Sequence, residues 1–267
     1  MSVLFPFLPF DPAETPLSFA TRSASFHMRS SVVDFLHDIR VHPNTMIGCE
    51  KEAIARLADV AGIDAAALRR NAARRVAKRR FELRGNELSS EFFSTPDTVF
   101  CPACLREDDR NAVDVGSVRL GRLEWTLRPV RTCPRHGLTL VHRKRQRWDD
   151  MFHELARRVP ERGDELDRLV DAADQKAPSP LQDYVLARLD GVAGGAWLDS
   201  QGLEQAVRST EMLGLLVAFG PSKKPSELTA REWDQAGAVG FAITSAGEGA
   251  IREVLGDLQT NAVRRAG

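Results

Sequence analysis

Apolar positions in the first third of the chain recur every three or four residues, which is the spacing of amphipathic helices. The pattern predicts helices at about 17–27, 31–40, 50–60 and 63–83. Ala58, Gly62 and Leu68 stand at the spacing of a helix-turn-helix, in which a glycine forms the tight turn. Any helical hairpin with a glycine turn has the same spacing, so a DNA-binding pair and a plain hairpin both fit.

The helical pattern continues in the second half of the chain after one interruption. Between 115 and 130, Trp125, Leu127 and Val130 alternate with polar neighbours and predict a short strand. The apolar run 213–219 predicts a helix that is buried on all sides. Helices are expected at about 151–160, 161–173, 181–190, 203–219, 229–236 and 247–260, with a linker at 176–180.

The predicted helix at 63–83 is strongly basic. Residues 68–84 hold eight Lys and Arg side chains against one carboxylate, Glu82. On a helix, Arg70, Arg74 and Lys78 share the face opposite the apolar stripe. Cations this dense favour a phosphate partner, and a solvated helix face is the alternative. With the second basic run at 143–147, the sequence predicts nucleic-acid contacts from Arg69, Arg70, Arg74, Arg75, Lys78, Arg79, Arg143, Lys144 and Arg145.

Composition agrees with an ordinary globular protein, with 43% hydrophobic and 28% charged residues. The net charge of zero hides an asymmetry, because residues 1–150 hold 24 Lys and Arg against 19 Asp and Glu. A basic front half suits a polyanionic partner. No apolar run has the length of a transmembrane helix, so we expect a cytoplasmic, nucleoid-associated protein without membrane contact.

The cysteines are the residues that indicate a chemical function most clearly. Cys101 and Cys104 form a C-x-x-C knuckle, and Cys133 and His136 form a C-x-x-H knuckle. Three thiolates and one imidazole are the donor set of a tetrahedral zinc ion. All four positions are filled, which leaves no place for an activated water and predicts one structural Zn²⁺. A redox-active C-x-x-C would leave the second knuckle unexplained, and His142 is an alternative to His136 as the fourth ligand.

These elements predict a mainly α fold in three parts. They are an N-terminal helical domain with a helix-turn-helix at 1–97, a zinc-knuckle module with short β-strands at 98–145, and a C-terminal helical domain at 146–267. We expect a second basic surface around the metal from Arg119, Arg122, Arg128, Arg131 and Arg135. Motifs of zinc deaminases, zincins, P-loop proteins and serine hydrolases are absent from the sequence, which predicts a protein that is not an enzyme. A zinc hydrolase is a further alternative.

The segments 99–108, VFCPACLRED, and 123–138, LEWTLRPVRTCPRHGL, resemble the TniQ family. That family has a CPxCL-x-E-D knuckle, a W-x-L/R stretch and a CP-x-HG-x-x-L knuckle. Leu8-Pro9, Leu17-Ser18-Phe19 and Arg22 are similar to its opening segment, so the resemblance covers about residues 5–142. The metal ligands that it implies are Cys101, Cys104, Cys133 and His136.

The resemblance implies a role in transposon target selection. TniQ-like proteins link target recognition to an AAA+ ATPase that recruits the transposase. Some bind an attachment-site DNA, and in others a TniQ dimer sits on an RNA-guided Cascade complex. The expected partners are therefore DNA, the AAA+ ATPase, a Cascade-type complex and a second copy of the chain. This chain lacks the further cysteine pair of many members, which implies a single zinc ion. The alternative function is a stand-alone zinc-containing DNA-binding transcriptional regulator.

Overall fold

In a computed structural model, the chain is mainly α-helical, which confirms the predicted fold class. The structure describes residues 3–29, 31–110, 112–193 and 196–266. The chain forms two compact units, at 1–177 and 178–267, and the boundary falls inside the predicted linker. The segment 98–145 is grouped with the N-terminal residues in the first unit, and the separate folding of 1–97 and 98–145 stays a prediction.

The first unit begins with five helices: α1 (Pro16–Phe26), α2 (Val32–Asp38), α3 (Pro43–Ile47), α4 (Lys51–Ala61) and α5 (Ala65–Arg70). Side chains of Thr15, Ser31 and Asp64 cap helices α1, α2 and α5 by accepting hydrogen bonds from backbone amides. The apolar faces meet in one core, whose fully buried members include Phe19, Leu36, Met46, Ile54, Leu57 and Leu68. The helical periodicity of this region therefore predicted α1, α2, α4 and the start of α5, but not the short helix α3, where the sequence has a proline turn signal.

The predicted helix pair with its glycine turn is present as α4 and α5. Gly62 ends α4 with a left-handed φ of 68°. A Cβ there would lie 3.0 Å from Cγ1 of Val3 and 3.2 Å from Cε1 of Phe7, so the turn needs glycine for its conformation and for space. The second helix spans only six residues. A DNA-binding role for this pair stays a prediction.

The prediction of one long basic helix at 63–83 is wrong. After α5 the chain forms a three-stranded antiparallel sheet from β1 (Arg74–Ala77), β2 (Arg80–Leu83) and β3 (Asn86–Ser89). Asn71 ends α5, and its amide donates to the carbonyl oxygens of Pro12 and Glu14 at 2.7 and 2.8 Å. Arg70, Arg74 and Lys78 therefore do not share a helix face.

The rest of the first unit surrounds the two cysteine knuckles. β4 (Thr98–Phe100) pairs antiparallel with β5 (Val141–Arg143), and α6 (Pro102–Asp108) lies between them in sequence. α7 (Leu155–Arg158) and α8 (Asp164–Ala172) follow. The expected strand around Trp125 is wrong, since residues 123–126 form a 3₁₀ turn. The helix predicted at 151–160 is reduced to a 3₁₀ turn at 148–152 followed by α7.

The described residues of the second unit form four α-helices: α9 (Pro180–Leu189), α10 (Leu203–Phe219), α11 (Ala230–Thr244) and α12 (Glu248–Ala266). The first two match their predicted bounds closely, and the last two extend further than predicted. Helices α10 and α11 cross where Gly214 and Gly240 face each other's backbone, and a Cβ on either glycine would collide with a carbonyl oxygen. Helix α10 is not buried on all sides, because Met212 and Val217 are 47% and 38% exposed.

Among the described residues, no helix combines the length and the apolar character needed to span a bilayer.

Candidate metal centre

The first knuckle joins a strand to a helix. β4 leads directly into Cys101, the N-cap residue of α6, and Pro102 occupies the first helical position, where its missing N–H costs no hydrogen bond. The amide of Leu105 donates to the Cys101 carbonyl at 3.1 Å, which closes the first helical turn. This turn brings Cys104 back beside Cys101, and both cysteines are fully buried. The C-x-x-C spacing thus places the two thiols on the same side of the first turn of α6.

The second knuckle is a tight backbone loop. The amide of Cys133 donates to the Leu138 carbonyl at 2.8 Å, and the amide of Gly137 donates to the Cys133 carbonyl at 2.9 Å. Gly137 has a φ of 61°, and a Cβ there would lie 3.2 Å from the Lys176 carbonyl oxygen. The loop therefore needs glycine directly after His136, and the segment 174–176 packs against it.

The four predicted ligands come together in space. The three Sγ atoms of Cys101, Cys104 and Cys133 and one ring nitrogen of His136 all lie within 4.8 Å of one another. Nδ1 of His136 is 3.6 Å from Sγ of Cys101, 3.3 Å from that of Cys104 and 3.6 Å from that of Cys133. The sulfurs of Cys104 and Cys133 are 3.7 Å apart. One metal ion can therefore contact all four donors.

These separations match the edges of a zinc tetrahedron. With Zn–S bonds of about 2.3 Å and a Zn–N bond of about 2.0 Å, tetrahedral angles give S···S edges of about 3.8 Å and S···N edges of about 3.5 Å. These four distances in the cluster, 3.3 to 3.7 Å, fall close to both values. The space at the centre thus has the size of a four-coordinate ion with sulfur and nitrogen ligands.

The three thiols are electrostatically linked. Hydrogen bonds from the thiols of Cys101 and Cys104 lower the pKa of Cys133, whereas hydrogen bonds to Cys101 and Cys133 raise the pKa of Cys104. Three thiolates at these distances need a cation at the centre, because their mutual repulsion is unscreened in a buried site.

His136 is oriented by a carboxylate. Its Nε2 lies 3.0 Å from Oε1 of Glu107, which leaves Nδ1 facing the thiols. Oε2 of Glu107 accepts a hydrogen bond from Arg135 at 2.7 Å. Such a carboxylate partner fixes the tautomer and the ring plane of a metal-binding histidine. His142, the alternative ligand, lies in β5 opposite Val99 and is not one of the four clustered residues.

Two ion pairs lie beside the knuckles and correct the predicted basic surface. Arg122 contacts both oxygens of Asp108, at 2.9 and 3.1 Å, with the two side chains 4% and 8% exposed. Arg119, 1% exposed at its side chain, pairs with Asp109 at 2.6 and 2.7 Å. Arg131 is also buried, at 8% exposure. These three arginines hold the interior together, so the prediction that they line a second basic surface is wrong for them, whereas Arg128 is half-buried and Arg135 is exposed.

Sequence reasoning assigned no structural role to Glu107, Asp108 and Asp109, although the first two belong to the quoted motif. A signal for Glu107 was available, since it lies three residues after Cys104 on the same helix, where side chains one turn apart share a face. The partners of Asp108 and Asp109 lie 14 and 10 residues further along the chain, at Arg122 and Arg119. Their pairing has no local sequence signal.

The residues predicted to contact nucleic acid fall in several elements. The first six lie at the end of α5, in β1 and in the β1–β2 turn, and the other three lie in or just after β5. Arg143 pairs with Glu161 and is half-buried, whereas Lys144 and Arg145 are exposed. In order, the nine are Arg69, Arg70, Arg74, Arg75, Lys78, Arg79, Arg143, Lys144 and Arg145.

Comparison with known proteins identifies the family. The chain matches the TniQ family model over residues 5–140, which is half of its length and contains all four clustered ligands. No curated protein and no solved structure matches the chain. The matched region begins in the segment before α1 and ends just after the second knuckle, in agreement with the motifs that the sequence displays. The chain belongs to the TniQ family.

Proposed function

We propose that this protein is a non-catalytic adaptor of DNA transposition, which binds one structural Zn²⁺ and links target recognition to the AAA+ ATPase and transposase. The observation that carries the proposal is the TniQ match around a buried cluster of three cysteines and one histidine. Target recognition would use DNA directly or a Cascade-type RNA-guided complex. A second copy of the chain is a further expected partner.

Zinc is the metal that best fits the cluster. Its d¹⁰ shell has no geometric preference of its own, and thiolate with imidazole in a four-coordinate shell is its usual structural site. The four ligands fill the shell, so the metal would organise the fold rather than activate a water molecule. Zinc would contribute on the order of 10 kcal/mol to folding by joining two knuckles that are far apart in sequence.

The adaptor role is tested by reconstitution. The purified, tagged chain is mixed with a transposition AAA+ ATPase, with and without duplex DNA, and the ATPase retained on the tag is measured. An adaptor retains the ATPase at a defined stoichiometry. A chain that binds DNA but retains no ATPase and no Cascade-type complex acts instead as a DNA-binding regulator, and the proposal is then wrong.

A further inference from the structure

We propose that the β1–β2 hairpin is a contact for the phosphate backbone of duplex DNA, an inference that rests on the proposed function in DNA transposition. The hairpin is residues 74–83, with Lys78 and Arg79 in the turn between the paired residues Ala77 and Arg80. It replaces the basic helix that the sequence predicted as the nucleic-acid contact.

The hairpin concentrates positive charge at an exposed tip. Residues 74–84 hold six Lys and Arg side chains against the single carboxylate of Glu82. Arg75, Lys78, Arg79 and Arg80 are all exposed. A partner with closely spaced negative charges would relieve the repulsion among these cations and would release its own counterions on binding.

The existing partners of these cations neutralise them only weakly. Arg79 lies 2.7 Å from Glu91, with side chains 66% and 55% exposed, and Arg80 lies 2.8 Å from Glu87, with side chains 51% and 60% exposed. Ion pairs this exposed contribute about 0–1 kcal/mol, so a phosphate can replace the carboxylate at little cost. Within the described residues, Lys78 has no carboxylate within ion-pair distance.

The hairpin is held firmly on the helix pair. Arg84, just after β2, donates to Oδ1 of Asn71 at 2.7 Å and to the Arg70 carbonyl at 3.3 Å. The amide of Arg75 donates to the Gly48 carbonyl at 2.9 Å. Leu83 is fully buried beneath the sheet. A contact surface that is already ordered loses little conformational entropy on binding.

The hairpin also adjoins the end of α5. The contact of Arg84 with the Arg70 carbonyl brings the base of the hairpin against the last turn of this helix, which exposes Arg69 and Arg70. The outer face of α5 carries only small side chains before them, Ala66 and Ala67. Exposed basic side chains are therefore present both at the end of α5 and at the hairpin tip, on segments that contact each other through Arg84.

The chemistry of the tip favours phosphate over a protein partner. Protein interfaces are depleted of charged residues at their centre and depend on aromatic or aliphatic anchors. In the hairpin, all of which the structure describes, the only large apolar side chain that is exposed is Val76, at 44%. The β1–β2 turn at the end of the three-stranded sheet instead carries long cationic side chains, which suit the phosphate backbone of duplex DNA.

The test compares two variants with the same change in charge. The tip variant is Lys78→Gln, Arg79→Gln, Arg80→Gln, and the control is Arg168→Gln, Arg231→Gln, Arg252→Gln, whose residues lie outside the hairpin. Binding to a short duplex of arbitrary sequence is measured by fluorescence anisotropy between about 50 and 200 mM salt. We expect the tip variant to lose at least about tenfold in affinity, and its log–log salt slope to fall by about 0.9 per lost phosphate contact. The control variant is expected to keep the affinity and the salt slope of the wild type.

Equal losses in the two variants, or an unchanged tip variant, would overturn the proposal. So would binding of polyglutamate that depends on the tip while DNA binding does not, because the hairpin would then recognise an acidic protein. Zinc content and thermal unfolding of both variants establish that they fold, and Lys78→Gln alone gives a milder second variant. Retention of the AAA+ ATPase is measured in parallel. If the wild type retains no ATPase, the adaptor function fails whatever the hairpin does.

Discussion

Glu107 is the residue that orients the only nitrogen ligand of the metal centre. Its carboxylate lies 3.0 Å from Nε2 of His136 and does not belong to the ligand cluster. We predict that Glu107→Ala lowers zinc affinity by about 10–100-fold, because the imidazole loses the partner that fixes its tautomer and raises its basicity. Competition with a chromophoric chelator measures this affinity.

Two further variants make the Glu107 measurement specific. Glu165→Ala removes an exposed carboxylate of α8 and should leave zinc affinity unchanged. Glu107→Gln keeps an oxygen that can accept from the imidazole and should recover part of the loss. Equal zinc affinities for the wild type and Glu107→Ala would show that the carboxylate plays no part in holding the histidine.

His153 predicts a stability change in acid. Burial lowers the pKa of its ring from 6.5 to about 4, and Nδ1 lies 3.1 Å from Oγ1 of Thr98. The unfolded chain binds a proton at this ring near pH 6.5, whereas the folded chain does not until about pH 4. The contribution of His153 to stability is therefore fully present above pH 6.5 and is lost as the pH falls towards 4.

The variant His153→Asn should lack this pH dependence. Asparagine tolerates the φ of 52° at this position, and its oxygen can accept a hydrogen bond from Thr98. Between pH 7 and 5, the difference in unfolding free energy between wild type and variant should fall by about 2 kcal/mol. Effects that both proteins share cancel in this difference. One of them comes from Glu14: burial raises its pKa to about 7, so its contribution to stability changes with pH in the opposite direction. If the unfolding free energies of the two proteins changed with pH in parallel, His153 would not be the source of the acid-dependent loss of stability.

Individual residues differed in how far the sequence could predict them. The clustering of the four residues was predictable because each knuckle encodes its own turn within four residues, as Cys133 and His136 show. The burial of Arg119 and Arg122 was not predictable. It depends on carboxylates 10 and 14 residues away, which pair with these arginines only once the chain has folded. A buried arginine and a phosphate-binding arginine look alike in sequence.

The element that sequence periodicity predicted wrongly is the segment 63–83. A stripe of small and apolar residues continues at helical spacing through it, but Asn71 is held by two backbone carbonyls of the N-terminal segment and ends α5. Beyond it, Leu83 packs into the interior as part of a strand. Long-range contacts therefore override the local helix propensity, which contributes little free energy per residue.

The crossing of α10 and α11 depends on glycine. A Cβ on Gly214 would collide with the carbonyl oxygen of Ala236, so the two backbones can approach only without a side chain there. We predict that Gly214→Ala destabilises the protein by about 1–3 kcal/mol or more, because the helices must separate to admit the methyl group. Chemical denaturation of the full chain measures the loss.

Gly256→Ala is the matched control for this crossing. Gly256 lies in α12, and a Cβ added there would meet open space, so alanine should stabilise the chain by up to about 1 kcal/mol through helix propensity. If both alanine variants are equally stable, helices α10 and α11 do not pack through Gly214.

At the scale of the whole molecule, the family match and the metal centre lie in the first unit. The TniQ match ends at residue 140, and the segment 174–176 closes over the second knuckle before the boundary at 177. The second unit lies outside the match and has its own helical core around α10 and α11. Variants in the second unit can therefore be tested for partner binding while zinc content reports separately on the first.

We propose that one zinc ion is held by the sulfurs of Cys101, Cys104 and Cys133 and the imidazole of His136. Zinc K-edge X-ray absorption of the purified chain, with metal content measured on the same sample, tests it most directly. We expect one zinc per chain with three sulfur neighbours at about 2.3 Å and one nitrogen at about 2.0 Å. A chain that binds no zinc or two zinc ions, or a shell with fewer than three sulfurs, would contradict it.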